Sequence, residues 1–391
     1  MSAPEGRDAP KSETTPRESR AGGKPSRRSD VIEWLEQRIN LSEIFSFLTH
    51  FGLVFTPVDA TRPFRDVARE VAEKRVPSYS HGPRVLALLA AIGFGIQAIT
   101  GVLLACYYRP TPEAAFVSTR TIVRDLPIGW FLHQIHAWGA YLLIAVVVVR
   151  LLRLFWDALY QAPRELLWWS SVALVVLAFG FDFTGRLLTW DTHSYWSTVR
   201  GLEIVHAIPV LGPLFTFLAG GKVVNEDVLI RFYVLHLLVL PALFAVCVYL
   251  TFATIRRVGL SVAAEAPSRG GITSLEHFYS MSILNVLVFG VLFTLAVLTP
   301  FRFLAEADPY TTPGGVRPAW YFLPAHGVLH GLPGPIWLWG TVLLAAGLAL
   351  FLIPHWVRPG GAIARRARLW GIAALTIWIA LGVYGAFLDR R

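Results

Sequence analysis

Cysteine is scarce: the 391 residues hold two, Cys106 and Cys247, both in apolar runs. That argues against a disulfide framework and against a cysteine-based metal site, and the absence of any Cys-x-x-Cys-His argues against covalently attached haem. Charge is scarce too. Only 16% of residues are charged against 54% hydrophobic, and the mean hydropathy is +0.53. A soluble chain of this size is not that apolar, so the composition points to a polytopic membrane protein. Residues 1–30 lack an apolar core and are not expected to act as a signal peptide.

What is present is a series of long apolar runs. Seven approach the roughly 20 residues needed to span a bilayer, near 84–107, 130–155, 166–186, 230–254, 280–300, 335–354 and 369–388. The expected fold is therefore an all-α polytopic membrane protein. Residues 1–28, rich in Ser, Pro, Gly, Lys and Arg, read as a disordered tail. Residues 29–83 read as a surface helix followed by an insertion. In "SDVIEWLEQRI", Ser29 or Asp30 can cap a helix whose apolar residues Val31, Ile32, Trp34, Leu35 and Ile39 recur at helical spacing. It fits a membrane surface or a partner subunit equally well.

Lys and Arg are more numerous in the segments that share a side with the N-terminus. The positive-inside rule then predicts a cytoplasmic N-terminus and an outer C-terminus, in a membrane expected to be the bacterial inner one. The net charge of +9 is accounted for by topology and anionic lipid and calls for no nucleic-acid partner.

His136, in "HQIHAWGAYLLIAVVVVRLL", and His236, in "RFYVLHLLVLP", lie at similar depth in the second and fourth runs. Both runs go from outside to inside, and both histidines lie about 10 Å below the outer surface at 1.5 Å per residue. Two imidazoles on parallel helices can clamp the iron of a flat, apolar haem. Two buried histidines bonded to their neighbours would give the same pattern. The first and third runs carry Thr100-Gly101 and Thr184-Gly185 near the same depth. Glycine permits the close approach that a porphyrin plane needs, although it is common in membrane helices anyway.

The stretches "QAITGVLLACYYRPTPEAAF", "GWFLHQIHAWGA", "PRELLWWSS", "FTGRLLTWDTHSYW", "AIPVLG", "RFYVLHLLVLP" and "ADPYTTPGGVRPAWYFLP" resemble, in order, cytochrome b of the Rieske/cytochrome b complexes. The resemblance is strongest to the photosynthetic form, in which the subunit is split in two; here both pieces look fused, without an eighth helix. It covers about 76–391. It implies a four-helix haem-binding domain at 84–260 and a three-helix C-terminal domain at 261–391.

Members of the family stack two haems across the bilayer, and each of the four helices repeats its haem residue after fourteen positions, about 21 Å of helix. Here the outer set, Gly101, His136, Gly185 and His236, is kept. The inner set is replaced by Ala87, Arg150, Ser171 and Leu250 (Thr251 at a spacing of fifteen). Arginine stays protonated and is not an iron ligand. The expected cofactor is one non-covalent b-type haem on the outer side, with iron held by His136 and His236. Arg150 either snorkels toward the inner surface, as Arg153 does, or fills the vacated pocket or binds a lipid headgroup.

Other departures follow. Val85 stands where photosynthetic relatives attach an extra haem to cysteine. His133 stands where relatives pair an arginine with a haem propionate, and it can still donate. In "RPAWYFLP" a family glutamate is replaced by Ala319, which removes the carboxylate thought to take protons from quinol. Pro318, Trp320, Tyr321 and His326 are the candidate quinone-site residues; His326 and His330 could carry protons instead or serve only in packing.

Two functions fit. One is a single-haem electron-transfer subunit of a quinone-linked complex. Its partners would be Rieske-type, cytochrome c-type or a second cytochrome b. The other is a structural cytochrome b-like scaffold for such subunits, as one half of a heterodimer for example.

Overall fold

The computed structural model describes residues 63–73, 75–76, 81–258, 272–357 and 361–388. The tail expected at 1–28 and the amphipathic helix expected near 29–39 lie outside the described residues. Helices α1 (Phe64–Glu73), α2 (His81–Ala105), α3 (Pro112–Arg124), α4 (Gly129–Trp156), α5 (Glu165–Leu187), α6 (Thr192–His206) and α7 (Leu211–Ala219) come first. Then α8 (Glu226–Val234) runs through one π turn (Leu235–Val239) into α9 (Leu240–Val258). After them come α10 (Ser274–Leu298), α11 (Leu323–Gly331), α12 (Ile336–Trp356) and α13 (Gly361–Leu388). Seven helical segments are long and apolar enough to span a bilayer, and they match the seven runs. The protein is an all-α integral membrane protein.

Local sequence explains the starts of several helices. Asp191 caps α6 through the N–H of Ser194, whose hydroxyl returns a bond to the Asp191 backbone. Thr273 and Glu276 form the same reciprocal box at α10, the T-x-x-E signature in "ITSLE". Asn225 caps α8 through the N–H of Val228.

The span α4 is central: α2, α5 and α10 pack on it, and α9 packs on α5 to complete a four-helix bundle. The bundle core is apolar side chains such as Ile144, Val147, Leu174 and Phe244. The last spans attach through specific polar contacts. The indoles of Trp168 and Trp169 donate to the carbonyls of Leu350 and Phe351, each at 2.9 Å, and tie α12 to α5. Outward faces of these spans stay apolar and exposed, as at Val286, Leu298 and Trp370, which suits lipid.

Within the segment read as an insertion, α1 packs on α10 and buries Val67. A two-residue strand β1 (Arg75–Val76) pairs antiparallel with β2 (Ile272–Thr273), joining this segment to the start of α10. Neither contact is legible in the sequence, because each depends on residues about 200 positions apart.

Candidate functional site

The geometry is a near repeat. On α2, the Thr100 hydroxyl lies 2.8 Å from Nδ1 of His136 on α4. On α5, the Thr184 hydroxyl lies 3.2 Å from Nδ1 of His236, and the Phe181 carbonyl lies 3.1 Å from the same nitrogen. Each threonine also bonds back to its own helix, to Ile96 and Gly180. The hydroxyls are therefore fixed, and with Nδ1 engaged, Nε2 of each ring is the nitrogen available to a metal.

The glycines next to those threonines are needed for space. A Cβ at Gly101 would come within 3.2 Å of Cε1 of His136, and one at Gly185 within 2.5 Å of Cε1 of His236. His236 itself lies in the π turn. Pro241 follows with no N–H to give, so the regular i→i−4 ladder is broken there, and Leu240 bonds instead to the Leu235 carbonyl. Such widened turns recur at functional sites.

The two imidazole rings stand on opposite sides of the bundle interior, steeply inclined to one another at 69°, with centroids 6.1 Å apart. Iron held at about 2 Å from one nitrogen of each ring requires a separation of roughly 6 Å. Both rings line a cavity of about 380 Å³ between the four helices. Gln97 Nε2, Tyr108 OH, His133 Nδ1 and Arg186 Nε are buried there and lack a hydrogen-bond partner among the described residues. Orphaned polar atoms call for a guest with polar groups at its edge. Paired imidazoles, glycine clearances and orphaned donors together fit a b-type haem.

A strap covers the cavity. The Gln134 side chain donates to the Phe301 carbonyl at 3.1 Å and accepts from its N–H at 2.8 Å. Trp138 donates to the Thr299 carbonyl at 3.0 Å. Farther along, Thr192 N–H donates to Ala305 and Ala307 N–H to Trp190. Phe301, Arg302 and Phe303 of the strap line the cavity wall.

Fourteen residues along α4 the picture differs. Between the levels lie Phe94, Phe181 and Phe244, with Phe94 stacked on Phe244 at 4.5 Å. Beyond them Arg150 is 4% exposed and donates to Ser171 at 2.8 Å. Ser171 donates to the Leu167 carbonyl, and Ser170 and Thr251 bond to each other at 2.8 Å. Arg150 is therefore an interior residue, which decides against the snorkelling alternative. Ala87 and Leu250 are half-buried at this level.

The candidate quinone-site residues lie around a short 3₁₀ turn and the start of α11. Ala319 and Pro318 are buried, while Trp320 is half exposed in a short 3₁₀ turn. His326 is buried in α11, its ring 4.8 Å from that of His330. None of these lines the cavity, whereas Tyr321 reaches its wall by donating to Asp182 Oδ2 at 2.7 Å. Arg186 Nη2 donates to the same oxygen at 2.7 Å and to Tyr141 OH at 2.9 Å. Burial, reinforced by the Asp182 charge, pushes the Tyr321 phenol well above its ordinary pKa, so it remains a donor. Gln134, Asp182 and Arg186 were not singled out in the sequence. An Asp–Arg pair four apart within a span is itself a signal.

Comparison with known proteins shows the family. The family model for cytochrome b/b6/petB matches residues 73–259, and that for the C-terminal part, cytochrome b(C-terminal)/b6/petD, matches 306–389. The chain is 40% identical over 197 residues to the cytochrome b6 of Heliobacterium modesticaldum, covering 50% of this chain and 92% of that one. The chain belongs to the cytochrome b/b6 family. It is also 30% identical to the cytochrome b of Rickettsia conorii, over 84% of this chain and 79% of that one. A cytochrome bc complex cytochrome b subunit from Chlorobaculum thiosulfatiphilum is 31% identical over 76% of this chain and 66% of its own length. A chain of a hyperthermophilic respiratory Complex III shares the fold, with a TM-score of 0.66 at 21% identity, covering 92% of this chain and 99% of that one.

Proposed function

We propose that this cytochrome b-family chain is the membrane electron-transfer subunit of a quinone-linked bc-type complex, with one b-type haem held by His136 and His236. The observation that carries the reading is the contrast between the two levels of one bundle. At one level two imidazoles stand 6.1 Å apart beside a cavity. At the other, the ligand position holds a buried arginine bonded to Ser171. Held between the histidines, haem supplies one-electron exchange at iron. Thr100 and Thr184 orient the imidazoles, Gly101 and Gly185 leave room for them, and His133 offers its free Nδ1 to a carboxylate at the cavity edge. Gln134 holds the strap that keeps water out. Arg150 and Ser171 occupy the inner level with groups that have no redox chemistry.

From this follows a limit on activity. With no second haem, an electron would face a gap of about 20 Å along the bundle, and Ala319 supplies no carboxylate. The chain is therefore proposed not to bifurcate quinol oxidation by itself, even with a quinone bound nearby. Its partners are other redox subunits, Rieske-type, cytochrome c-type or a second, complete cytochrome b. The proposed setting is the bacterial inner membrane, with the N-terminus cytoplasmic, the His136 level toward the outside, and domains at 84–260 and 261–391.

A pyridine haemochrome assay on the purified complex, with each subunit counted by mass spectrometry, tests this reading. One non-covalent haem per chain is expected. Two per chain, after subtraction of partner haems, overturns it, and none would leave a scaffold.

A further inference from the structure

A second cavity, of about 1010 Å³, opens where α7 leads into α8, and it shares no lining residue with the cavity between the imidazoles. His206, Lys222 and Arg231 line it, and no aspartate or glutamate does. Arg231 Nη1 donates to the Phe217 carbonyl at 3.2 Å, its one hydrogen bond among the described residues. Its guanidinium lies over Gly220, where an added Cβ would come within 2.5 Å of Nη1. The group is therefore fixed at the cavity with most of its five donors left over. Lys222 is exposed and pairs with no carboxylate among the described residues. Nε2 of His206 is buried and has no hydrogen-bond partner among them. Burial, and after it the Lys222 charge, hold this imidazole below its ordinary pKa. It is then neutral near pH 7, and Nε2 can carry the hydrogen and donate. Unmet donors beside uncompensated positive charge call for an anion.

The helix beside these groups has the opposite character. α7, LGPLFTFLA, buries Gly212 and Ala219 and exposes Leu211, Leu214 and Leu218, which recur at three and four residues on one face. Phe217, 77% exposed, and Val223, 73% exposed, extend that surface. Phe217 and Leu218 also line the cavity, so the apolar face and the cations are continuous. With α6, α7 connects the ends of the third and fourth spans. A short helix there with its apolar face turned outward suits the boundary between acyl chains and headgroups. A small inorganic anion would answer the charges and leave that face bare.

We propose that this groove binds an anionic phospholipid: its phosphate lies between Lys222 and Arg231, His206 Nε2–H donates to the headgroup, and an acyl chain runs along Leu214, Phe217 and Leu218. The site lies outside the haem bundle and does not depend on the haem count.

The test uses the purified complex in a neutral detergent. Phosphatidylglycerol with a photoreactive group on one acyl chain is compared with phosphatidylcholine bearing the same chain, and cross-linked peptides are mapped by mass spectrometry. Phosphatidylglycerol should label residues 210–223 in preference to phosphatidylcholine. Lys222→Gln should raise the concentration needed for half-labelling about fivefold, the share of one cation near a membrane surface, and leave phosphatidylcholine unchanged. Phe217→Ser keeps the cations and should reduce labelling by both lipids, which reads the site if the charge variant does not assemble. Equal labelling by the two lipids, or labelling that neither variant alters, overturns the proposal. Complete protection by glycerol phosphate at the same concentration as the lipid would assign the cations to a free anion and overturn it too. A partner subunit cross-linked to residues 210–223 in place of lipid would make the face a subunit contact, with the same consequence.

Discussion

The two glycines beside the histidines stand in equivalent places and yet are not equally tight, which makes Gly185→Ala and Gly101→Ala a discriminating pair. At Gly101 the added Cβ meets only Cε1 of His136 inside 3.4 Å, at 3.2 Å, so a few tenths of an ångström suffice. At Gly185 it meets Cε1, Nδ1 and Nε2 of His236 at 2.5, 3.0 and 3.2 Å. Ordinary contact begins near 3.4 Å, so the His236 ring must retreat by about 0.9 Å. That movement separates Nδ1 from Thr184 and Phe181, bonds that are already 3.2 and 3.1 Å long. Overpacking of this kind costs about 1–3 kcal/mol, and a lost hydrogen bond adds about 1 kcal/mol. Gly185→Ala should therefore lower haem occupancy and broaden or shift the low-spin electron paramagnetic resonance signal, while Gly101→Ala retains haem with a near-native spectrum. Haem-to-protein ratio and that spectrum are measured on both variants. Equal retention, or a larger loss in Gly101→Ala, would refute the argument that the glycines serve as clearance for the imidazoles.

Three further outcomes follow from the same contacts. His136→Ala and His236→Ala should each abolish the b-type absorption bands, and an unchanged spectrum in either would move the ligand elsewhere, with His133 the first residue to examine. Ser171→Ala leaves the Arg150 guanidinium without its acceptor and should destabilise the chain by about 1–3 kcal/mol in thermal unfolding; Arg150→Met, which removes the buried charge, should cost less or stabilise. Gln134→Leu removes both bonds to Phe301 and should make the strap near 299–307 more susceptible to limited proteolysis, a change that would not occur if Trp138 and Thr192 alone fixed it.

Much of this was legible in the sequence because a bilayer imposes a simple rule. Seven apolar runs give seven spans, since an unsatisfied backbone cannot cross lipid. The fourteen-residue spacing from His136 to Arg150 places both on one face, and Arg150 does point inward. Sequence left open whether that arginine reached for the surface, because length and charge permit either. Burial against Ser171 decides it. The strap was hidden for another reason: Gln134 and Phe301 are 167 residues apart, and no local pattern pairs them. Tyr321 and Asp182, 139 residues apart, were hidden in the same way.

The polar residues at the Arg150 level bond locally. A buried guanidinium is costly unless its donors are met. Ser171 provides an acceptor at 2.8 Å and is itself anchored to Leu167 at 2.6 Å. The serine thus offsets part of the cost of burying the arginine. Phe94 stacked on Phe244 separates this polar pair from the imidazoles.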